Sequence, residues 1–138
     1  MDVTGPFVSD LSPLEGLEEL RGLRLAQLRG LDDPRAWATL GRLPRLEALT
    51  VEGGTVERLS GLEGCRALRS LSLRECGALL EVSALGGLPR LEEVNLSGAS
   101  SLTSLRGLER CPALRRVVAK HCPSLRDASL RGVEVVRA

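Results

Sequence analysis

Apolar residues recur along this chain at a fixed spacing, and that spacing limits the possible folds more than any other feature. From Leu88 they follow one another every three positions, with one step of two between Val94 and Leu96. The same series starts again at Cys111 and, one unit earlier, at Cys65, so that three units begin 23 residues apart. A period of roughly 20–50 residues is typical of repeat architectures. The chain is therefore predicted to consist of stacked copies of one small unit.

Two further units fit the same template towards the amino terminus. They start at Leu17 and Leu43 and are 26 and 22 residues long. Val8 falls in the tail of an incomplete unit. We therefore expect a single domain over residues 1–138, with about five strand-bearing repeats that start near residues 17, 43, 65, 88 and 111 and partial repeats at both ends.

Each unit contains two kinds of local pattern. In "LEEVNLSG", Val94 and Leu96 alternate with Glu93, Asn95 and Ser97, which predicts a short strand with one buried face. The period-three stretch that follows favours tight 3₁₀ turns, because an amphipathic α-helix needs apolar steps of three and four. Each unit is thus one strand and a return, and stacked units place their strands in a parallel sheet.

One segment of the 26-residue unit predicts a proper helix. "DDPRAWATLGRL" offers Asp32 or Asp33 as the N-cap, Pro34 in the first turn and Gly41 as a stop. Trp37 in this segment is expected to cover the core from the convex side.

The segment "LRSLSLRECGAL" matches the pattern LxxLxLxx(N/C)xxL, and "LRRVVAKHCPSL" matches it with Val and Ala substituted. On these motifs the chain resembles the leucine-rich repeat family. "VSDLSPLEGLEELRGLRL" is similar to the short repeats of internalin-like bacterial proteins, and the "CPAL" start resembles cysteine-containing repeats. The resemblance implies an α/β solenoid with a curved parallel sheet on its concave face and 3₁₀ turns or short helices on its convex face.

The four cysteines occupy two template positions. Cys65 and Cys111 stand at the first apolar position of a unit, whereas Cys76 and Cys122 follow the strand, where the family places Asn or Cys to bond the bending backbone. Equivalent positions two units apart are separated by roughly 9–10 Å, beyond the ~7 Å Cα limit of a disulfide. No CxxC or histidine-spaced set suggests zinc. Buried structural thiols and a reducing compartment are expected.

The sequence offers no candidate for catalysis, a cofactor or a small-molecule substrate. The one histidine, His121, has no acid or nucleophile beside it in the template and is predicted to lie at the rim of the sheet; a catalytic use of the face would depend on it alone. No phosphate-binding glycine motif occurs. The chain has no charged and apolar leader and no apolar run long enough for a membrane span, so a cytoplasmic location is expected.

Charge runs along the chain from negative to positive. The formal sums are −4 for residues 1–64, 0 for residues 65–105 and +5 for residues 106–138, and the total is +1. Aromatic residues make up 1% of the chain, so the basic end lacks the stacking side chains that nucleic-acid binding favours. The basic end would instead be complementary to an acidic protein surface.

The outward positions of the predicted strands form the concave face, which is the usual contact surface of the family that the chain resembles. We predict that this face binds another protein. Its candidate contact residues are Arg24, Thr50, Glu52, Ser72, Arg74, Glu93, Asn95, Arg116, Val118 and Lys120. The alternative hypothesis is a sensor or regulatory segment of a larger protein, such as the repeat region of a nucleotide-binding immune-type receptor, because "VSDLSPL" begins in mid-repeat without a polar cap.

Overall fold

In the described part of the chain, seven short strands form one parallel sheet in which every strand pairs with the next one along the chain. The computed structural model describes residues 1–4, 11–26, 34–53, 55–128 and 130–137. The strands are β1 (Asp2–Thr4), β2 (Gly22–Ala26), β3 (Ala48–Glu52), β4 (Ser70–Arg74), β5 (Glu93–Asn95), β6 (Arg116–Val118) and β7 (Glu134–Val136). Because neighbouring strands are parallel, each connection must return across the back of the sheet before the next strand begins.

The strands β2 to β6 lie where the leucine spacing predicts them, and their burial alternates. In β4, Leu71 and Leu73 are buried, while Ser70, Ser72 and Arg74 lie on the opposite side of the sheet. Strict alternation would also point Ala26, the last residue of β2, towards solvent, and this expectation is wrong. Ala26 at the end of β2 is only 4% exposed, so the alternation of that strand stops at its last residue.

In the described parts of the chain, four of the returns contain a 3₁₀ turn, as the period-three stretches predict. The turns span Ser12–Leu14, Leu62–Gly64, Ser83–Leu85 and Leu108–Arg110. Each buries a single leucine, which is Leu14, Leu62, Leu85 or Leu108. One inward side chain per tight turn is what a period of three residues supplies.

The return between β2 and β3 contains the helix α1 (Pro34–Gly41). Ala36, Trp37 and Leu40 are buried, and Trp37 is 0% exposed, so its indole is part of the core. The proposed N-cap residues lie outside the described residues. At the other end the helix meets the next return closely, since a Cβ on Gly41 would lie 3.1 Å from the Cα of Gly64. A larger residue at either glycine would push these two returns apart.

The described residues share one continuous hydrophobic core. Two inward rows from the strands line it. The first row is Leu23, Leu49, Leu71, Val94 and Val117, and the second is Leu25, Val51, Leu73, Leu96 and Ala119. Each repeat therefore packs on its neighbours through aliphatic side chains stacked at equivalent positions. The opposite side of the sheet stays open to solvent.

Candidate interaction surface

The open side of the sheet, which we call the open face, carries three rows of side chains that run across the strands. The central row contains Arg24, Thr50, Ser72, Asn95 and Val118, which are mutual neighbours in register. The amino row contains Gly22, Ala48, Ser70, Glu93, Arg116 and Glu134. The carboxyl row contains Glu52, Arg74, Ser97 and Lys120. All ten predicted contact residues thus lie on one face of the sheet. Their contact with a partner stays a prediction.

The carboxyl row extends beyond the strands through a ladder of backbone hydrogen bonds. Glu75 N donates to Ser97 O over 2.9 Å, and Gly98 N donates to Lys120 O over 2.9 Å. These two bonds align Arg74, Ser97 and Lys120, although β5 and β6 end before Ser97 and Lys120. The row is therefore aligned by backbone hydrogen bonds, as the strand positions are.

Four residues that follow the carboxyl row share a left-handed backbone, and we call them the corner residues. Gly53, Glu75, Gly98 and His121 have φ values of 67°, 57°, 86° and 57°. Glycine adopts this conformation without strain, whereas a residue with a Cβ does so at a cost. His121 is exposed at the rim of the sheet, as predicted. The left-handed backbone at Glu75 and His121 was not predicted.

Among the residues that the structure describes, two ion pairs cross the open face. Arg24 Nη2 lies 2.7 Å from Glu52 Oε2 and joins β2 to β3. Arg116 Nε lies 3.8 Å from Glu134 Oε2 and joins β6 to β7. Arg74, Glu93 and Lys120 have no ion pair within the part of the chain that the structure describes. These three charges, all open to a partner, lie on or next to β4, β5 and β6.

The middle of the open face is nearly flat. Ala48, Thr50, Ser70 and Ser72 supply only short side chains there. Beside them, Asn95 Oδ1 accepts a hydrogen bond from the backbone N–H of Ser97 over 3.0 Å, which fixes its side chain. Flatness at the centre allows a partner to approach the sheet closely, while the long side chains stand at the rims.

A further pattern lies at the amino edge of the sheet, one residue before the amino row. The amino-edge ladder consists of Arg21, Glu47, Arg69, Glu92 and Arg115, joined in sequence by backbone hydrogen bonds of 2.8 Å. Its charges alternate in sign, and Arg115 Nη2 lies 3.5 Å from Glu92 Oε1. Opposite charges on neighbouring strands are favourable. The sequence reasoning missed this ladder, although each member directly follows the leucine that ends an LxxL or CxxL segment.

All four cysteines are free and buried, as predicted. Cys111 Sγ lies 3.1 Å from Leu85 O, and Cys122 Sγ lies 3.1 Å from Leu96 O, so each thiol donates to a backbone carbonyl of an earlier repeat. Cys76 Sγ likewise lies 3.6 Å from Val51 O. Burial raises the pKa of Cys65 and of Cys76 to about 12, and it also raises the pKa of Cys111. These thiols remain protonated at neutral pH and serve packing and hydrogen bonding.

No group of three or more His, Cys, Asp or Glu side chains in the described part of the chain is arranged to hold a metal ion. None of the helices described is long and apolar enough to cross a membrane.

The stacked strands, the 3₁₀ returns and the aliphatic rows define the fold as a leucine-rich repeat solenoid, which confirms the fold predicted from the sequence. Among solved structures the chain is similar to an internalin, InlF, from Listeria monocytogenes strain 4b F2365. The identity is 13%, the TM-score is 0.48, and the match covers 96% of this chain and 54% of that one. This chain thus spans about half the length of the internalin. No family model and no curated protein matches it.

Proposed function

We propose that this protein is a non-catalytic interaction module that binds another protein through the open face of its sheet, which is concave in a solenoid of this kind. The observation that carries the proposal is the open face itself. It spans the sheet, has a flat centre of short side chains, and leaves Arg74, Glu93 and Lys120 without an ion pair among the described residues. Such a surface suits a partner with charges of the opposite sign.

Two features support a module without chemistry of its own. The thiols of Cys65 and Cys76, which would otherwise be potential nucleophiles, are buried and have pKa values of about 12, so they are not thiolates at neutral pH. The outward positions of the face are mainly small or charged residues. Free cysteines also support our proposal of a reducing, cytoplasmic location.

Photocrosslinking tests the assignment of the face. A photoreactive amino acid replaces Ser72 on the open face or, as a control, the exposed Glu81 on a return, and each protein is irradiated in an extract of its source cells. We expect a discrete adduct from position 72 and none from position 81. The double change Arg116→Glu and Lys120→Glu should remove that adduct, because it reverses two of the charges at the basic end of the face.

The control double change is Arg106→Glu and Arg110→Glu, which makes the same charge change on the return side. Arg110 ends a 3₁₀ turn, and both residues are exposed. If the control pair weakens the adduct more than the pair on the open face, the partner binds elsewhere and the proposal is wrong.

A further inference from the structure

The carboxyl row of the open face has an uneven distribution of charge. Glu52 is paired with Arg24, whereas Arg74 and Lys120 have no ion pair within the described residues. Both cations are exposed, and the half-buried Ser97 stands between them. The row therefore presents two cations separated by one short, neutral side chain.

The backbone fixes the spacing between the Cα atoms of Arg74 and Lys120. Arg74, Ser97 and Lys120 occupy equivalent places in three successive repeats, aligned by the backbone bonds from Glu75 and Gly98. Neighbouring strands lie about 4.8 Å apart, so two steps separate the backbones of Arg74 and Lys120 by about 9.6 Å. A partner that engages both cations at once must place its carboxylates at a comparable spacing.

An α-helix that lies across the strands meets this requirement. Residues seven apart in a helix lie on the same face, two turns and about 10.5 Å from one another. An extended strand does not fit as well: residues three apart point to opposite sides, and residues two or four apart are separated by about 6.6 or 13 Å. One helical turn also rises about 5.4 Å, which is close to the distance between neighbouring strands.

We infer that the carboxyl row binds an acidic amphipathic helix with carboxylates at positions i and i+7, one facing Arg74 and the other Lys120. The residue one turn after the first carboxylate faces Ser97. This inference rests on the proposed function and adds to it the shape and charge spacing of the partner.

The test uses two synthetic alanine- and glutamine-rich peptides of about 20 residues, long enough to form helix. Both contain the same amino acids, but the glutamates stand at i and i+7 in one and at i and i+5, on different faces, in the other. Each is titrated into the isotopically labelled protein at low salt, and amide chemical shifts are followed. We expect the i, i+7 peptide to bind about three- to fivefold more tightly, the gain of one additional exposed ion pair. The amides of residues 74, 97 and 120 should shift most.

The variant Arg74→Gln with Lys120→Gln should bind the two peptides equally, whereas the return-side control Arg106→Gln with Arg110→Gln should retain the difference. Equal binding of the two peptides to the unaltered protein, or shifts centred outside the carboxyl row, would overturn the inference. If position 72 still forms its adduct in that case, the interaction module survives and only the helical partner is lost.

Discussion

The corner residues show how one backbone conformation is imposed on unlike side chains. Gly53, Glu75, Gly98 and His121 all have positive φ, and the N–H groups of the first three donate to the next repeat over 2.9–3.0 Å. The backbone hydrogen bonds beside the carboxyl row thus have the same geometry whether or not the corner residue carries a Cβ. At Glu75 and His121 the side chain is retained in spite of its conformational cost.

Replacing Glu75 by glycine should therefore stabilise the protein. A left-handed conformation costs a residue with a Cβ about 1–2 kcal/mol, and glycine loses about 0.5–1 kcal/mol more entropy on folding, so a net gain of about 0.5–1 kcal/mol is expected. Urea denaturation of the Glu75→Gly variant measures it. The control Thr103→Gly, at an exposed position without positive φ, should lower stability instead. A loss of stability in both variants would contradict the explanation.

The buried thiols predict a weakness in alkali. The pKa of Cys65 and of Cys76 is about 12 in the folded protein, above the ordinary value near 8.5 that the unfolded chain regains. The folded state thus holds these protons more tightly, and stability should be complete below about pH 8.5 and fall as pH rises towards 12. The chain has no tyrosine, and Lys120 is its one lysine, so few other groups titrate in this range.

The measurement is the free energy of unfolding in urea between pH 7 and pH 10.5, compared with that of Cys76→Ala. The variant should be less stable at neutral pH but lose less stability on going to high pH. Parallel curves for the two proteins would show that the Cys76 thiol does not cause the alkaline loss. A thiol reagent should also react only slowly with the native protein. After denaturation it should react with all four cysteines.

At the scale of the element, the strand is the unit that separates core from surface. Leu71 and Ser72 are consecutive in β4 and lie on opposite sides of the sheet, with Leu71 1% exposed. The Leu71→Ala change should lower the free energy of unfolding by about 2–5 kcal/mol, because it leaves a cavity between stacked repeats. Ser72→Ala should change it by less than about 0.5 kcal/mol. Similar decreases in the free energy of unfolding of the two variants, measured in urea, would show that the assignment of inward and outward side chains in β4 is wrong.

The repeat spacing predicted these elements well where leucine defines them and poorly elsewhere. The strands β2 to β6 and the 3₁₀ returns follow from the template, but β1 and β7 lie in the partial repeats at the two ends and join the sheet through backbone pairing with β2 and β6. The outward phase of the candidate site was predictable for the same reason. The Arg24–Glu52 pair was not, because the two residues are 28 positions apart and meet only through the register of β2 and β3.

At the scale of the whole molecule, the continuous core supports our proposal that the chain forms a single domain. Repeats that share their apolar rows are stabilised mainly by their neighbours, and a short array should then unfold as one unit. The fluorescence of Trp37, the one tryptophan, reports on the return between β2 and β3, whereas far-ultraviolet circular dichroism reports on the whole sheet. The two signals should give one coincident urea transition. Separate midpoints would contradict a single domain.

The amino-edge ladder has a consequence for how such a chain can lengthen or shorten. Its signs alternate from Arg21 to Arg115, so removal of the one repeat that contains Glu47 would set Arg21 beside Arg69. Duplication of any one repeat would likewise place two equal charges side by side, which is unfavourable on neighbouring strands. Loss or gain of two adjacent repeats keeps the alternation. Gain or loss of an even number of adjacent repeats therefore keeps opposite charges next to each other at the amino edge. An odd number would place two equal charges on neighbouring strands, with an electrostatic penalty.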